Sequence, residues 1–364
     1  MTEKIIRKRP EGQMPPRMLG HGMDPMDYFK LMGRTEKKDG EDFVNVSEEL
    51  GDKAYNYAVS ELEKGHTVTA YKFFMNASAL YRIGDYGLVE KTEEKLRLYK
   101  KVVDSFERGK ALSIYDKPIK LDIPYLHSTM PGWLMIPEGA PKDVPVAIVI
   151  PGATGYKEEN YAAALKLWER GGAALVFDGP GQGEALLFRD YYYDVTNYEK
   201  AVKTVMDFVR ADTRVGDTIG LYGISYGGYL APRAASFYSD ELACAVGRGG
   251  SDNSDCLIED EAHIKAFFGK FKAKLNIEDD DKAMAVIKEM NIIEEAKNIT
   301  CPLLLVHTEN DFVVNISGVK RMIENVSSED KELKIFPGGA HCADDDDEIA
   351  GSYIADWMKE RLMK

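Results

Sequence analysis

The residues best suited to chemistry begin with a serine between glycines. The pentapeptide Gly223-Ile224-Ser225-Tyr226-Gly227 follows an apolar run, Thr218–Tyr222, and precedes a helical pattern. This strand–turn–helix context is typical of a nucleophile elbow, a turn so tight that the neighbouring positions cannot carry a Cβ. The pattern therefore predicts Ser225 as a nucleophile. A passive serine in a glycine-rich turn is the alternative interpretation.

A serine at its ordinary pKa is a poor nucleophile and needs an imidazole base that a carboxylate orients. Of the six histidines, only His341 lies after the last predicted strand, in the loop Pro337-Gly338-Gly339-Ala340-His341. We predict that His341 is the base. His307 ends a strand before the expected acid loop, so a structural role is predicted for it.

The orienting carboxylate is expected in the loop that follows the strand ending at His307. This loop offers Glu309 and Asp311. Asp311 is favoured because two apolar residues follow it and are expected to anchor the loop, whereas Glu309 is expected to face solvent. A carboxylate after the strand Ala243–Val246, such as Asp252 or Asp255, is the remaining alternative.

Acyl-transfer chemistry also requires hydrogen-bond donors for the oxyanion that develops on the substrate. The backbone N–H of Tyr226, directly after the serine, is one predicted donor. The other is predicted from Ala153 or Thr154, in the glycine-rich loop Pro151–Gly155 that follows the apolar run Val144–Ile150. Glycines allow the backbone of such a loop to approach a substrate oxygen closely.

Two neighbouring segments are expected to shape the substrate pocket. The turn Asp178–Glu184 is rich in glycine, but its glycines are spaced by two and miss the dinucleotide-binding pattern. We expect this turn to form the rim of the pocket. Tyr191, Tyr192 and Tyr193 lie just downstream. They are predicted to form an aromatic wall for the substrate, with Tyr191 and Tyr192 as the expected binding residues, and packing under the helical layer is the equal alternative.

These loops require elements that bring them together, and short apolar strands alternate with helices from Ser113 onward. This alternation predicts an α/β fold with a doubly wound, mostly parallel, eight-stranded sheet. The first two strands, Ile119–Pro124 and Trp133–Pro137, are expected to be antiparallel. The other strands are predicted at Val144–Ile150, Ala173–Phe177, Thr218–Tyr222, Ala243–Val246, Pro302–His307 and Leu333–Phe336.

The N-terminal part of the chain has a different character. Residues 1–40 contain four prolines and scattered glycines, and they are predicted to form an irregular arm. Residues 41–112 show apolar spacing typical of helices and are predicted to form a helical domain. Residues 113–364 form the predicted catalytic domain, with a helical insertion at about 251–298.

Composition limits the classes of function. The chain has 364 residues, of which 44% are hydrophobic, and a formal net charge of −14. So acidic a protein is not expected to bind nucleic acid or an anionic membrane surface. The four cysteines form no paired motif, which predicts no structural metal site and a reduced compartment. With no secretory leader and no apolar run of about 20 residues, a cytoplasmic location is expected.

The motif order over residues 113–364 resembles that of the α/β-hydrolase superfamily. The order comprises the glycine-rich loop, the DGPGQG turn, the GxSxGG elbow, the ENDxxV loop and the GGAH loop. Within that superfamily, Gly152–Glu159 and the helical N-terminal segment are similar to a narrower group. That group contains 2,6-dihydroxypseudooxynicotine hydrolase, fungal polyketide-shortening hydrolases and fermentation–respiration-switch-type esterases.

The resemblance implies a helical cap over the serine, frequent dimerisation and no cofactor. It also places Gly152, Lys157 and Glu158 among the expected substrate-binding residues. The implied activity is that of a serine hydrolase that cleaves an ester, or a carbon–carbon bond beside a ketone, in a medium-sized, aromatic or ketonic small molecule. An acyltransferase using the same serine and a non-catalytic ligand-binding protein on the same fold are the alternatives.

Overall fold

A computed structural model describes residues 6–9, 15–258 and 261–364 of the chain. The chain divides into two compact units, Met1–Lys117 and Pro118–Lys364. Each unit contains its own buried apolar side chains. The chemistry-bearing motifs identified in the sequence all lie in the second unit, so that unit carries the candidate site.

The N-terminal unit consists of helices in its described parts. The three longest helices pack as neighbours, and their apolar positions at helical spacing, such as Ala58, Leu80 and Leu98, are fully buried. Packing of one apolar face against another is the main source of stability for such helices. The helices are α1 (Pro15–Gly20), α2 (Pro25–Thr35), α3 (Phe43–Glu63), α4 (Thr67–Asp85) and α5 (Glu93–Ala111).

Helices α1 and α2 lie in the segment 1–40, for which an irregular arm is the sequence-based expectation. Helix α2 begins at Pro25, whose fixed φ suits a first helical turn, and the Asp24 carboxylate accepts a hydrogen bond from Met26 N at 2.8 Å. Leu31, on the inner face of the helix, is fully buried. The expectation is therefore wrong for these two ranges, where proline begins helices. Residues 1–5 and 10–14 lie outside the described residues.

In the described part of the second unit, eight strands form one sheet in the order β1-β2-β4-β3-β5-β6-β7-β8. Strand β2 is antiparallel to β1 and β4, and the remaining pairs are parallel, which confirms the predicted mostly parallel sheet. The strands are β1 (Ile119–Tyr125), β2 (Ser128–Met135), β3 (Val146–Ile150), β4 (Ala173–Phe177), β5 (Ile219–Ile224), β6 (Cys244–Arg248), β7 (Leu303–Thr308) and β8 (Lys331–Phe336).

Every residue of the central strands β3, β4, β6 and β7 is buried, because helices cover both faces of the sheet. The helices are α6 (Lys157–Trp168), α7 (Gly183–Arg189), α8 (Asn197–Ala211), α9 (Gly227–Tyr238), α10 (Glu261–His263), α11 (Gly269–Leu275), α12 (Asp280–Glu289), α13 (Ile316–Asn325) and α14 (Asp347–Leu362). Helices α6 and α14 pack together, and so do α8 and α9.

The carboxyl ends of parallel strands lie at one edge of a sheet, where open α/β proteins bind ligands. The loops after β3, β5, β7 and β8 leave the sheet at this edge, and these are the loops that hold the predicted catalytic residues. Between β6 and β7 the chain forms the short helices α10, α11 and α12. The topology thus brings together four segments that are far apart in sequence.

Membrane insertion was tested on helix length and hydropathy. Among the helices of the described ranges, none combines the length and the apolar character that a membrane crossing requires.

Candidate active site

The serine lies in a strained turn between β5 and α9. Ser225 has a φ of +60°, a left-handed conformation that side-chain-bearing residues rarely adopt. Glycine is required at both flanking positions, because other backbone atoms approach them too closely for a side chain. A Cβ at Gly223 would lie 1.8 Å from the carbonyl oxygen of Gly227, and a Cβ at Gly227 would lie 2.2 Å from that of Ile150. The strain presents the Ser225 side chain at the edge of the sheet.

The structure brings Ser225, His341 and Asp311 into one hydrogen-bonded chain. His341 Nε2 lies 2.8 Å from Ser225 Oγ, and His341 Nδ1 lies 2.9 Å from Asp311 Oδ2. An ionised carboxylate can only accept, so Nδ1–H donates to Asp311 and leaves Nε2 as the acceptor for the serine hydroxyl. This is the arrangement that a nucleophile, its base and an orienting carboxylate require.

The electrostatics of the group favour an ionised Asp311 and a basic His341. Burial by itself would raise the pKa of Asp311, but His341 and the backbone N–H groups of Val313 and Val314 outweigh burial and lower that pKa. For His341, burial favours the neutral ring, but the Cys342 sulfur and the Asp311 carboxylate together raise its pKa well above 6.5. The imidazole is therefore a stronger base than a free histidine.

The other carboxylates considered from the sequence lie in different surroundings. Glu309 and Asp255 are exposed. Asp252 is fully buried, and its two oxygens accept hydrogen bonds from Arg321, each at 2.8 Å. Asp311 itself is held by backbone donors, whereas the following Phe312 is 47% exposed. The expectation that Phe312 anchors the loop is therefore wrong, since the carboxylate of Asp311 does so.

His307 is fully buried at the end of β7. Its Nδ1 lies 2.9 Å from the carbonyl oxygen of Thr308, and burial lowers its pKa. A buried, neutral imidazole that donates to a neighbouring carbonyl is held within the protein core. This position agrees with the structural role predicted for His307.

The two predicted sources of oxyanion donors both lie against the serine. Tyr226 immediately precedes α9, and the first N–H groups of a helix have no acceptor within the helix. In the other segment, Gly155 N donates to Gly152 O at 3.2 Å, which leaves Ala153 and Thr154 as the central residues of a tight turn. A methyl group at Gly152 would lie 2.8 Å from Ser225 Cβ and 3.2 Å from its Oγ.

The histidine loop depends on Arg248, which the sequence analysis did not identify. Cys342 and Ala343, directly after His341, have φ values of +60° and +54°. Arg248 Nε donates to Cys342 O at 2.5 Å, and its Nη2 donates to Ala343 O at 3.4 Å. The carbonyl oxygen of Arg248 also accepts the N–H of Ser225 at 2.8 Å. One residue thus links the serine turn to the histidine loop.

Arg248 is 3% exposed and ends an otherwise apolar strand. An arginine at that position is a signal that sequence reading could have used, because a buried guanidinium requires several acceptors. Its pKa is raised because the neighbouring acidic and hydroxyl groups outweigh burial.

Lys157 and Glu158, predicted as substrate-binding residues, belong to a buried ion cluster. Lys157 Nζ lies 2.5 Å from Glu158, 2.6 Å from Glu184 and 3.2 Å from Asp178, and the lysine is 1% exposed. Burial raises the pKa of Glu158 to about 7 despite the adjacent ammonium. This burial corrects the expectation that Lys157 and Glu158 bind the substrate. Their charged groups form ion pairs with each other and with neighbouring carboxylates in the protein interior.

The predicted tyrosine wall is also distributed differently. Tyr191 is 4% exposed, and its hydroxyl donates to Tyr125 O and accepts the N–H of Ser128, so it fastens the β1–β2 hairpin. The half-buried Tyr192 donates to Asp190 at 3.0 Å. The next residue, Tyr193, is the one whose ring lies next to Tyr226, with centroids 5.7 Å apart. Of the three tyrosines, Tyr193 is therefore the aromatic neighbour of the serine turn, and Tyr191 is not.

A cavity of about 620 Å³ lies beside the residues that follow Asp311 in the chain. Its walls come from the segment after β6, from the loop that follows Asp311 and from the first turns of α13. Asn253, Val314 and Arg321 are among its lining residues. Its size is within the range of small-molecule pockets.

Across residues 6–9, 15–258 and 261–364, no group of three or more histidine, cysteine, aspartate or glutamate side chains is arranged to hold a metal ion.

Comparison with known proteins agrees with this fold. A family model described as serine aminopeptidase, S33 matches residues 282–347, the stretch that contains Asp311 and His341. The chain is 24% identical over 345 residues to 2,6-dihydropseudooxynicotine hydrolase of Paenarthrobacter nicotinovorans, covering 94% of this chain and 90% of that protein. It is 31% identical over 227 residues to hydrolyase poxO of Penicillium oxalicum, covering 59% of this chain and 54% of that protein.

The solved structure of 2,6-dihydroxy-pseudo-oxynicotine hydrolase superposes with a TM-score of 0.83 at 23% identity and covers 95% of both chains. This likeness shows the fold over 95% of the chain. The fungal relative, in contrast, is matched over about half of its length. The chain thus has the α/β-hydrolase fold and resembles the group that the sequence motifs indicate.

Proposed function

We propose that this chain, an α/β-hydrolase that resembles 2,6-dihydroxypseudooxynicotine hydrolase over nearly its whole length, hydrolyses a carbonyl substrate with Ser225 as the nucleophile. The observation that carries the proposal is the chain of contacts at 2.8 Å from Ser225 Oγ to His341 Nε2 and at 2.9 Å from His341 Nδ1 to Asp311. A ligand-binding protein would not need a strained serine joined to a base and a buried carboxylate.

The reaction follows from the roles that these groups can take. Ser225 Oγ attacks the substrate carbonyl while His341 Nε2 takes the hydroxyl proton, and Asp311 stabilises the imidazolium that forms. The oxyanion is held by the N–H of Tyr226 and by that of Ala153 or Thr154. His341 then gives its proton to the leaving group. Water, deprotonated by His341, attacks the acyl-enzyme and releases the acid and free Ser225.

The proposed substrates are esters and ketones that can lose a stabilised carbanion. In an ester the bond that breaks is carbon–oxygen, and the leaving alkoxide takes the proton from His341. In a β-diketone the bond that breaks is carbon–carbon, and the leaving enolate takes the same proton. Both routes use the same three residues, and the resemblance to the pseudooxynicotine hydrolase supports including ketones beside esters.

The test compares these two substrate types with the same preparations. Purified wild type and the Ser225→Ala variant are assayed with p-nitrophenyl acetate and with an aryl 1,3-diketone, and the products are identified by mass spectrometry. Turnover of either compound that Ser225→Ala abolishes supports the proposal. Equal turnover by the two proteins would contradict it.

An added alcohol separates hydrolysis from acyl transfer. A hydrolase releases the free acid as its main product when the alcohol is present at millimolar concentration. Conversion of most of the acyl group to the new ester would assign the chain to the acyltransferases instead.

A further inference from the structure

The glycine-rich turn Asp178–Glu184 is not at an open pocket rim, as the sequence suggests, but in the protein interior. Asp178 and Gln182 are both fully buried. Gln182 Oε1 accepts hydrogen bonds from Gly179 N at 3.0 Å and from the Tyr198 hydroxyl at 2.7 Å. These two donors fix the orientation of the amide, so its Nε2 faces the carbonyl oxygen of Pro151 and donates to it at 2.6 Å.

Asp178 holds the other end of the same loop. Its Oδ1 accepts the N–H of Lys157 at 2.9 Å, and its Oδ2 accepts the N–H of Glu184 at 3.0 Å. Lys157 is the first residue of α6, so Asp178 accepts a hydrogen bond from one of the N–H groups that have no acceptor within that helix. The two buried side chains of one turn therefore hold the loop 151–157 at both of its ends.

This loop is the one that lies against the serine. The Pro151 carbonyl that Gln182 holds lies 2.8 Å from the position of a Cβ on Gly227, at the start of α9. The next residue, Gly152, approaches Ser225 so closely that a methyl group would collide with the serine Cβ. A shift of Pro151 would therefore be transmitted directly to Ala153 and Thr154 and to their distance from Ser225.

We propose that Gln182 is a positioning residue, whose Nε2–H bond to Pro151 sets the oxyanion-binding loop at its working distance from Ser225. This inference rests on the proposed function, since it assigns the turn a part in stabilising the oxyanion. Gln182 does not touch the substrate. It acts through the backbone of Pro151 and Gly152.

The test uses variants that separate the donor of Gln182 from its acceptor. Gln182→Met keeps the length of the side chain and removes the donor. Tyr198→Phe is the matched control, because it removes one bond to Gln182 Oε1 and leaves the bond to Pro151 in place. Gln182→Glu is the second variant, which keeps the acceptor for Gly179 and Tyr198 and loses the donor when its carboxyl ionises.

The readout is the rate constant for phosphonylation of Ser225 by an alkyl fluorophosphonate, together with the fraction of protein finally labelled. A displaced oxyanion loop lowers the rate constant, whereas partial unfolding lowers the labelled fraction. We expect Gln182→Met to react roughly 10- to 100-fold more slowly, since a displacement of about 1 Å at an active site costs about 100-fold. Tyr198→Phe is expected within threefold of wild type.

The pH dependence gives an independent check. The Gln182→Met substitution leaves His341 unchanged. The rate constant for phosphonylation of this variant should therefore rise with pH through the same midpoint as that of the wild type. A shifted midpoint would mean that the variant disturbs the base, and it would overturn the assignment to the oxyanion loop.

Three further results would overturn the inference. The first is a rate constant in Gln182→Met equal to that of the wild type. If Gln182→Met does not fold, the same result in Gln182→Glu at high pH counts instead. The second is an equal loss in Tyr198→Phe, because the defect would then belong to the turn as a whole. The third is a wild type that is not labelled at Ser225, which would contradict the proposed function itself and the inference with it.

Discussion

Adding one methyl group at Gly152 should separate the catalytic arrangement from the stability of the fold. The backbone of Gly152 lies outside the left-handed region, so alanine is conformationally allowed there. Its Cβ, however, would lie 2.8 Å from Ser225 Cβ and 3.0 Å from Ile224 O, where ordinary contact begins at 3.4 Å. The loop and the serine must therefore move apart by about 0.6 Å to restore ordinary contact, the difference between 3.4 and 2.8 Å.

The expected cost falls mainly on the reaction. A displacement approaching 1 Å at the reacting atoms lowers the rate about 100-fold. Overpacking costs about 1–3 kcal/mol of unfolding free energy, and the stiffer unfolded chain of an alanine variant returns about 0.4–1 kcal/mol. We therefore expect kcat/KM to fall about 10- to 100-fold while the free energy of unfolding falls by less than about 3 kcal/mol.

The assay measures kcat/KM for p-nitrophenyl acetate and the urea midpoint on the same preparations. Gly269→Ala is the matched control, because nothing lies within 4 Å of a Cβ at Gly269 and its backbone is helical. The control should keep wild-type activity. A Gly152→Ala variant with kcat/KM within threefold of wild type would refute the close approach of this loop to the nucleophile.

The remaining predictions concern the triad and its supports. Asp311→Asn should lower kcat about 10³- to 10⁴-fold without unfolding the protein, because the histidine loses the acceptor that fixes its tautomer; near-normal turnover in a folded variant would remove Asp311 from the triad. The reaction needs neutral His341, whose pKa is raised, so kcat/KM should fall with decreasing pH through a midpoint above 6.5; a midpoint below 6 would contradict this sign. Arg248→Lys should lower kcat about tenfold, since an ammonium cannot reach both carbonyls after His341, and unchanged kcat would disprove that support. His307→Ala should keep turnover within about tenfold while losing about 1–3 kcal/mol of unfolding free energy, and complete loss of turnover in a folded variant would reopen the choice of base.

The strands and the triad could be predicted because local patterns determine them. Ser225 is marked by its glycines and by the strand before it, and His341 is the histidine that follows the last strand. The parallel sheet then requires the loops that hold these residues to meet at one edge. The backbone approaches at Gly223 and Gly227 give the physical reason for the glycine spacing.

The supports of the site could not be predicted because burial is not a local property. In the sequence, Lys157 is a charged residue beside a glycine-rich loop. Its neighbours along the chain do not reveal that the carboxylates of Glu158, Asp178 and Glu184 surround it in the folded protein. Gln182 likewise depends on Pro151 and Tyr198, which approach it only in the folded chain. At the N-terminus, the prolines and glycines of residues 1–40 predict an irregular arm, although Pro25 is the first residue of α2.

The central claim is that Ser225 is a nucleophile activated by His341, and covalent labelling tests it most directly. The folded wild type is incubated with an alkyl fluorophosphonate at pH 8, and the adduct is located by intact-mass measurement and peptide mapping. We expect one adduct per chain on Ser225, none in Ser225→Ala, and labelling slowed by several orders of magnitude in His341→Ala. A folded wild type without an adduct, or with its adduct on another residue, would contradict this claim.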